Sequence, residues 1–383
     1  NLLQFEEMEE IPMPKNFKGE LRPYQKAGYD WFYFLRKWNF GGCLADDMGL
    51  GKTIQTLALL QKVKEDAAEA LIAKDLFDST AAATVNQPSL IVMPTSLIYN
   101  WLREAQKFTP DLKIIVYTGS LRDKNLDQFA DADVVLSTYG IIRMDIDLFK
   151  SFYFHYIILD ESQIIKNPIS KISRSVRSLK SKFKLVLSGT PVENSVLDLW
   201  SQMSFVNPGL LGNHHFFNDN FVIPIDKKQD FDKAEKLQSI IKPFILRRTK
   251  QQVASELPPK TENIYYSDMS PAQEELYEET KSYYRNEILK MIAEQGIGKS
   301  HIYLLQGLNK LRQIANHPKM VDELYEGDAG KFSDVIHTLE NIMTKGHKVL
   351  VFSQFVKHLK IFKDVWIFSL QEKIKLTDLN LSG

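Results

Sequence analysis

A single cysteine, Cys43, leaves no partner for an internal disulfide, which excludes a cystine-stapled secreted scaffold. No apolar stretch approaches the ~20 residues that a membrane-spanning helix needs. The first ten residues carry Glu6, Glu7, Glu9 and Glu10 where a secretory signal would be basic and then apolar. The expectation is a soluble protein with no membrane partner. Net charge is also absent: 48 Lys and Arg balance 48 Asp and Glu, so any affinity for a polyanion must come from a local surface rather than a basic coat. No internal repeat or low-complexity tract occurs. What is present is length and apolar content: 383 residues, 44% hydrophobic, enough for two or three domains with sizeable cores. Cys43, inside an apolar run, reads as a small buried hydrophobe rather than a reactive thiol.

The most informative segment is Leu44-Ala45-Asp46-Asp47-Met48-Gly49-Leu50-Gly51-Lys52-Thr53, between the apolar run 40–44 and the helical pattern from Ile54 to Leu60. A strand, a glycine-rich loop and a helix in that order make a phosphate-binding loop. Gly49 and Gly51 let the backbone bend so that its N–H groups point inward. The helix that follows adds its positive end, Lys52 reaches the β- and γ-phosphates, and Thr53 ligates magnesium. The cofactor expectation is therefore ATP with Mg²⁺, held by Asp47, Met48, Gly49, Leu50, Gly51, Lys52, Thr53 and Ile54. One departure stands out: G-x-x-x-x-G-K-[ST] would place glycine at 46, where this chain has Asp46.

A second segment completes the chemistry. Four apolar residues, 156–159, end in Asp160-Glu161-Ser162-Gln163. Ligands of parallel α/β sheets bind at the carboxyl ends of the strands, so Asp160 should share a crevice with the loop. Asp160 would hold Mg²⁺ and Glu161 would polarise the attacking water, since phosphoryl transfer needs neutralised charge and an in-line nucleophile. An apolar run ending in two acids is also a common strand end, and only the loop upstream tips the reading toward catalysis.

Short continuous apolar runs at 90–93, 114–117, 134–138, 156–159 and 185–187 are the signature of strands buried on both faces, hence a parallel sheet in an α/β fold. The alanine-rich segment 62–88 reads as a helix extension and then a loop. From about 206 to 245 the strands give way to aromatics, Asn and charge, a helical insertion. Leu257-Pro258-Pro259-Lys260 reads as a linker; 273–293 and 303–315 read as amphipathic helices. Lys348-Val349-Leu350-Val351-Phe352-Ser353 restarts a parallel-type strand. Between Glu161 and Glu193 there is no acid, while Lys166, Lys171, Arg174, Arg177, Lys180, Lys182 and Lys184 fall together. Several can share a helix face and meet phosphates, or form a solvated surface.

The ordered set Leu21-Arg22-Pro23-Tyr24-Gln25, the Asp-Asp-Met-Gly-Leu-Gly-Lys-Thr loop, Met93-Pro94-Thr95-Ser96-Leu97 with Asn100-Trp101, Ser137-Thr138-Tyr139-Gly140, Asp160-Glu161-Ser162-Gln163 with Ile165-Lys166-Asn167-Pro168, Leu187-Ser188-Gly189-Thr190-Pro191, Leu246-Arg247-Arg248-Thr249-Lys250, Asn316-His317-Pro318 and Val351-Phe352-Ser353-Gln354-Phe355 resembles Swi/Snf-type ATPases. These are DNA-translocating members of helicase superfamily two, and the resemblance runs from about residue 17 to about 360.

The resemblance implies a RecA-like lobe one at 1–254, with the insertion at about 206–245, then a linker and helical protrusion at 255–330, and the start of a second RecA-like lobe at 331–383. It implies that Gln25 reads the adenine edge through its amide, although a capping or core role suits that residue too. Thr95, Ser96, Ser137, Thr138, Tyr139 and Lys166 would contact a nucleic-acid backbone, fixing register without reading sequence; as hydroxyl residues, the Ser, Thr and Tyr can equally end strands. Ser188, Gly189 and Thr190 would couple the nucleotide site to the DNA site, and Gln163 would make the coupling contact of the acidic motif. Arg247 and Arg248 would be structural, and His317 reads as packing. The glutamine at 163 points to a bacterial, cytoplasmic and nucleoid-associated protein rather than a nuclear one.

The function implied is ATP-driven translocation along duplex DNA by a monomer, largely independent of sequence, remodelling a protein bound to the DNA. Neither Gly-Leu-Asn-Leu nor Gln-x-x-x-Arg-x-x-Arg follows residue 355, so the expected hydrolysis by this chain is slow. A nucleotide-gated module gripping DNA or protein is the alternative from another class. An RNA helicase of the same superfamily is a third, against which the helical material between 208 and 315 argues.

Overall fold

A computed structural model describes residues 8–77, 87–189, 196–253, 261–295 and 297–365, with side chains described except at 71–77, 295 and 297–300. The chain divides into two compact units, 1–258 and 259–383.

The first unit is built on a seven-stranded sheet: β1 Gly42–Leu44, β2 Ser89–Met93, β3 Ile114–Tyr117, β4 Val134–Thr138, β5 Tyr153–Leu159, β6 Lys180–Leu187 and β7 Ile245–Leu246, in the spatial order β3-β4-β2-β5-β6-β1-β7. Every pairing is parallel, with Leu44 beside both Leu187 and Leu246, Met93 beside Thr138, and Val92 beside Leu159. All carboxyl ends therefore lie along one edge. β1, β2 and β4 are buried at every position, which is why their sequences run apolar without alternation.

Helices α1 Pro23–Lys37, α2 Lys52–Phe77, α3 Ile98–Phe108, α4 Tyr139–Met144, α5 Ile146–Phe149, α6 Lys171–Arg177, α7 Val196–Val206, α8 His214–Phe217, α9 Phe231–Ile241 and α10 Lys250–Val253 complete the unit. Gly42 shows how helix and sheet meet ahead of the loop. A Cβ there would stand 2.4 Å from Leu35 and 2.6 Å from Trp31, so only glycine lets α1 lie this close to β1. Between α8 and α9 the chain makes a wide π-type turn, Asn218–Lys227, with Pro224 inside it. Pro224 has no N–H to give, and the wider turn accommodates it.

The second unit has α11 Pro271–Gln295, α12 Ile297–Asn316 and α13 Gly330–Thr344. Gln273 is fully buried and ties them together: Nε2 donates to the Ile314 carbonyl at 2.7 Å, and Oε1 accepts the Gly330 N–H at 3.1 Å. Phe332 packs against Phe362, His317 and His358. The strand expected at 348–353 is not formed: those residues have no ladder partner among the described residues, and Leu350 and Phe352 are 83% and 87% exposed. A strand is a pairing rather than a local state, so an apolar run alone cannot make one.

Candidate active site

The loop between β1 and α2 has the geometry that its glycines require. Gly49 and Gly51 adopt φ of 86° and 79°, a left-handed backbone that other residues enter only at a cost. Lys52 opens α2, and its Nζ donates back to the Asp46 carbonyl at 2.7 Å. Inward-curving amides, a helix N-terminus and a lysine at the lip fit a triphosphate.

Gln25 closes on this loop from α1. Its Oε1 accepts the Arg22 N–H at 2.9 Å, and its Nε2 donates to the Leu50 carbonyl at 3.1 Å, a bond that the Tyr24 hydroxyl duplicates at 3.1 Å. One side of the amide thus caps a helix while the other pins the loop. Gln25, Gly51 and Ile54 also line a cleft of about 380 Å³ opposite Arg103, Lys107 and Phe108 of α3.

Asp46, the residue that broke the glycine pattern, is fully buried. Its carboxylate takes both fork nitrogens of Arg248, Nε at 2.8 Å from Oδ1 and Nη2 on Oδ2, while Nη2 also reaches Gln55 Oε1 at 2.9 Å and Nη1 the Tyr24 carbonyl. The backbone repeats the clamp: Ala45 N–H donates to the Leu246 carbonyl at 2.7 Å and Asp47 N–H to the Arg248 carbonyl at 3.0 Å. β7 is only two residues long, yet it fastens the loop from the side.

Asp160 and Glu161 leave the end of β5, two strands from β1. Asp160 is 7% exposed, and both of its carboxylate oxygens are held: Oδ2 accepts the Trp101 indole N–H at 2.8 Å and Oδ1 the Glu161 N–H at 2.9 Å. Burial raises its carboxyl above the usual range, against the pull of the indole bond and of the nearby Lys52 charge. Glu161 sits at φ 50°, ψ 54°, a left-handed conformation that a non-glycine residue keeps only where its surroundings enforce it. Its carboxylate accepts the Gln163 amide N–H at 2.7 Å, while Gln163 Oε1 is buried without a partner among the described residues.

No group of three or more His, Cys, Asp or Glu able to hold a metal occurs among the described residues. Magnesium requires no such group, since it keeps several waters and takes one or two protein oxygens beside substrate phosphates.

The sequence-predicted residues divide in two. Thr95 and Ser96 are exposed in the turn Thr95–Leu97 at the start of α3, and Lys166 is half-buried after the acidic motif. Ser137, Thr138 and Tyr139 are 0%, 7% and 3% exposed, and their hydroxyls are engaged inside: Ser137 donates to the Tyr117 carbonyl at 2.9 Å, Thr138 caps α4 by accepting the Ile141 N–H at 3.3 Å, and Tyr139 donates to the Asp160 carbonyl at 2.8 Å. As side-chain contacts to a nucleic acid they are corrected to internal fasteners, because a hydroxyl closing a strand inside the core cannot also face solvent. Arg177 is corrected likewise, turned inward to Ser204 and over the Trp200 ring. Ser188 lies buried at the end of β6, its N–H on the Leu44 carbonyl at 3.0 Å, and a Cβ at Gly189 would stand 3.2 Å from Met48. Thr190 lies outside the described residues.

Sequence reading missed Trp101 and Arg248 as site residues. A buried indole needs an acceptor and a buried aspartate needs a cation, so both had a signal, but neither partner is near in sequence.

Comparison with known proteins agrees with this geometry. Residues 24–320 match the SNF2-related domain. The chain is 36% identical over 98% of its length to YwqA of Bacillus subtilis, named as an ATP-dependent helicase/translocase, and 35% identical over 81% to the TATA-binding protein-associated factor MOT1 of Saccharomyces cerevisiae. It spans 40% of the first protein and 17% of the second. Among solved structures, the Sulfolobus solfataricus SWI2/SNF2 ATPase core in complex with dsDNA is 38% identical, with a TM-score of 0.59, over 93% of this chain and 71% of that one.

Proposed function

From a chain that belongs to the SNF2-related family, we propose the ATP-hydrolysing core of a double-stranded DNA translocase that remodels protein–DNA complexes. The observation that carries the reading is convergence: in one parallel sheet the nucleotide loop, Thr95, Asp160 and Ser188 all follow strand ends on the same edge. The DNA-bound Sulfolobus core, at 38% identity, supports duplex DNA as the partner.

The chain's own residues have separable tasks. Lys52 would leave the Asp46 carbonyl for the β- and γ-phosphates of ATP. Thr53 and Asp160 would hold magnesium, which neutralises charge developing on the transferred phosphoryl group. Glu161 would orient and polarise the attacking water, with Gln163 bonded to it and its spare carbonyl oxygen free to accept a further hydrogen bond. Thr95, Ser96 and the exposed Lys171 and Arg174 offer backbone contacts that carry no sequence information.

The test is steady-state ATP hydrolysis with and without duplex DNA, together with Lys52→Ala and Glu161→Gln. Turnover that rises with duplex and vanishes in both variants supports the motor. Binding of ATP and DNA without turnover would favour a nucleotide-gated clamp, and no ATP binding at all sinks the reading.

A further inference from the structure

Two segments on the proposed DNA edge end on one residue. The exposed turn Thr95–Leu97 runs straight into α3, whose Trp101, 1% exposed, donates its indole N–H to Asp160 Oδ2 at 2.8 Å. β4 runs straight into α4, whose first residue, Tyr139, donates its hydroxyl to the Asp160 carbonyl at 2.8 Å. Asp160 N–H donates to the Val92 carbonyl of β2 at 2.9 Å, the strand that leads to that turn.

The two side-chain bonds act on different atoms of Asp160. The indole fixes the carboxylate that would hold magnesium. The phenol fixes the carbonyl of the Asp160–Glu161 peptide, and rotation of that peptide sets φ of Glu161. With φ at 50°, Glu161 would relax toward an ordinary backbone if released, carrying its carboxylate away from the water it serves. Tyr139 is therefore placed to hold a strained catalytic residue in its working pose.

We propose, resting on the translocase reading, that Trp101 and Tyr139 are positioning residues that hold the Asp160 and Glu161 carboxylates from the segments that follow β2 and β4. Phenylalanine at 139 fills nearly the same volume, so packing alone does not require an O–H there; at 101 it also removes a ring from a site 1% exposed, so that variant is read against its Tm.

The experiment compares Trp101→Phe and Tyr139→Phe with Tyr117→Phe, a control that loses a buried hydroxyl bonded to Asp145 instead. Basal and duplex-stimulated kcat, KM for ATP and Tm are measured for each in the full chain. Loss of a bond that orients a catalytic carboxylate should lower kcat about 10- to 100-fold, with KM changed less than about threefold and Tyr117→Phe close to wild type. Equal losses in all three variants that track Tm would assign a merely structural role and overturn the proposal. So would a wild-type kcat in Tyr139→Phe, the variant that removes one oxygen and decides the matter should Trp101→Phe fail to fold. Basal kcat judges the positioning role even where duplex DNA stimulates nothing, an outcome that would sink the translocase reading by itself.

Discussion

Arg248 and Asp46 form a two-point ion pair between residues 202 apart in sequence, with the aspartate fully buried at the start of the nucleotide loop. The guanidinium also stacks 5.3 Å from the Tyr24 ring, so α1, the loop and β7 meet on one cation. A general phosphate loop has glycine at this position and no such tie. Here the loop's shape depends on a strand contributed from beyond the helical insertion.

Removing one partner leaves the other charge buried alone, so Arg248→Met should destabilise the first unit by about 3–5 kcal/mol and weaken ATP binding. Asp46→Gly combined with Arg248→Met removes both charges and restores the loop's ordinary residue. Urea unfolding should show the double variant recovering more than half of the loss. A double variant as weak as Arg248→Met would mean that the pair contributes nothing beyond its packing.

Strands β2 and β4, and the carboxyl-terminal parts of β5 and β6, were legible because burial on both faces forces continuous apolar runs; β3, half-buried at the sheet edge, showed as an apolar run all the same. β7 was not legible, since two residues, Ile245 and Leu246, carry no period. The apolar run at 348–353 was misleading for the opposite reason: it has the composition of a strand but no partner to pair with among the described residues. The glycines and lysine of the nucleotide loop were readable because they are adjacent in sequence, whereas its ties to Gln25 and Arg248 were not. Arg248, Trp101 and Tyr139 act over distances that only the fold supplies, and the odd residue Asp46 was the one local trace of any of them.

Gly51 combines a left-handed backbone with a crowded site, since a Cβ would stand 2.5 Å from Gln25 Nε2. Gly119 has the same backbone sign, φ 86°, and nothing within 4 Å of a Cβ. Both alanine variants should lose about 1 kcal/mol to backbone strain. Only Gly51→Ala should also push Gln25 from the Leu50 carbonyl and raise KM for ATP several-fold. Equal KM values in the two would show that Gln25 does not govern the loop.

The basic stretch contains two arginines with different duties. Arg174 is exposed, while Arg177 bonds Ser204 Oγ at 3.2 Å and burial lowers its pKa. If this face meets DNA, Arg174→Ala should weaken duplex binding and reduce the slope of log K against log salt by roughly one. Arg177→Ala should lower Tm and leave that slope unchanged. A salt titration by fluorescence anisotropy separates them, and an unchanged slope in Arg174→Ala would remove α6 from the interface.

His317 in the second unit is buried, accepts the Lys319 N–H on Nδ1 at 3.1 Å, and lies edge-on to Phe332 at 4.9 Å. Burial, then Lys319 and His358, bring its pKa down from 6.5 to about 4 against the pull of Asp328. His358, also buried, is lowered as well, by burial and then by Lys331. A folded pKa below the unfolded one means that the unfolded chain takes up a proton first as pH falls. Stability should therefore be full above pH 6.5, decline between 6.5 and about 4, and be independent of this group below that. The loss from His317 should be about 2–3 kcal/mol. Asn at 317 keeps an acceptor for the Lys319 N–H without titrating, so His317→Asn should flatten that part of the decline. Hydrogen exchange of α13 amides at pH 7 and pH 5 reads it locally, and equal pH dependence in both proteins would show that folding does not lower the His317 pKa.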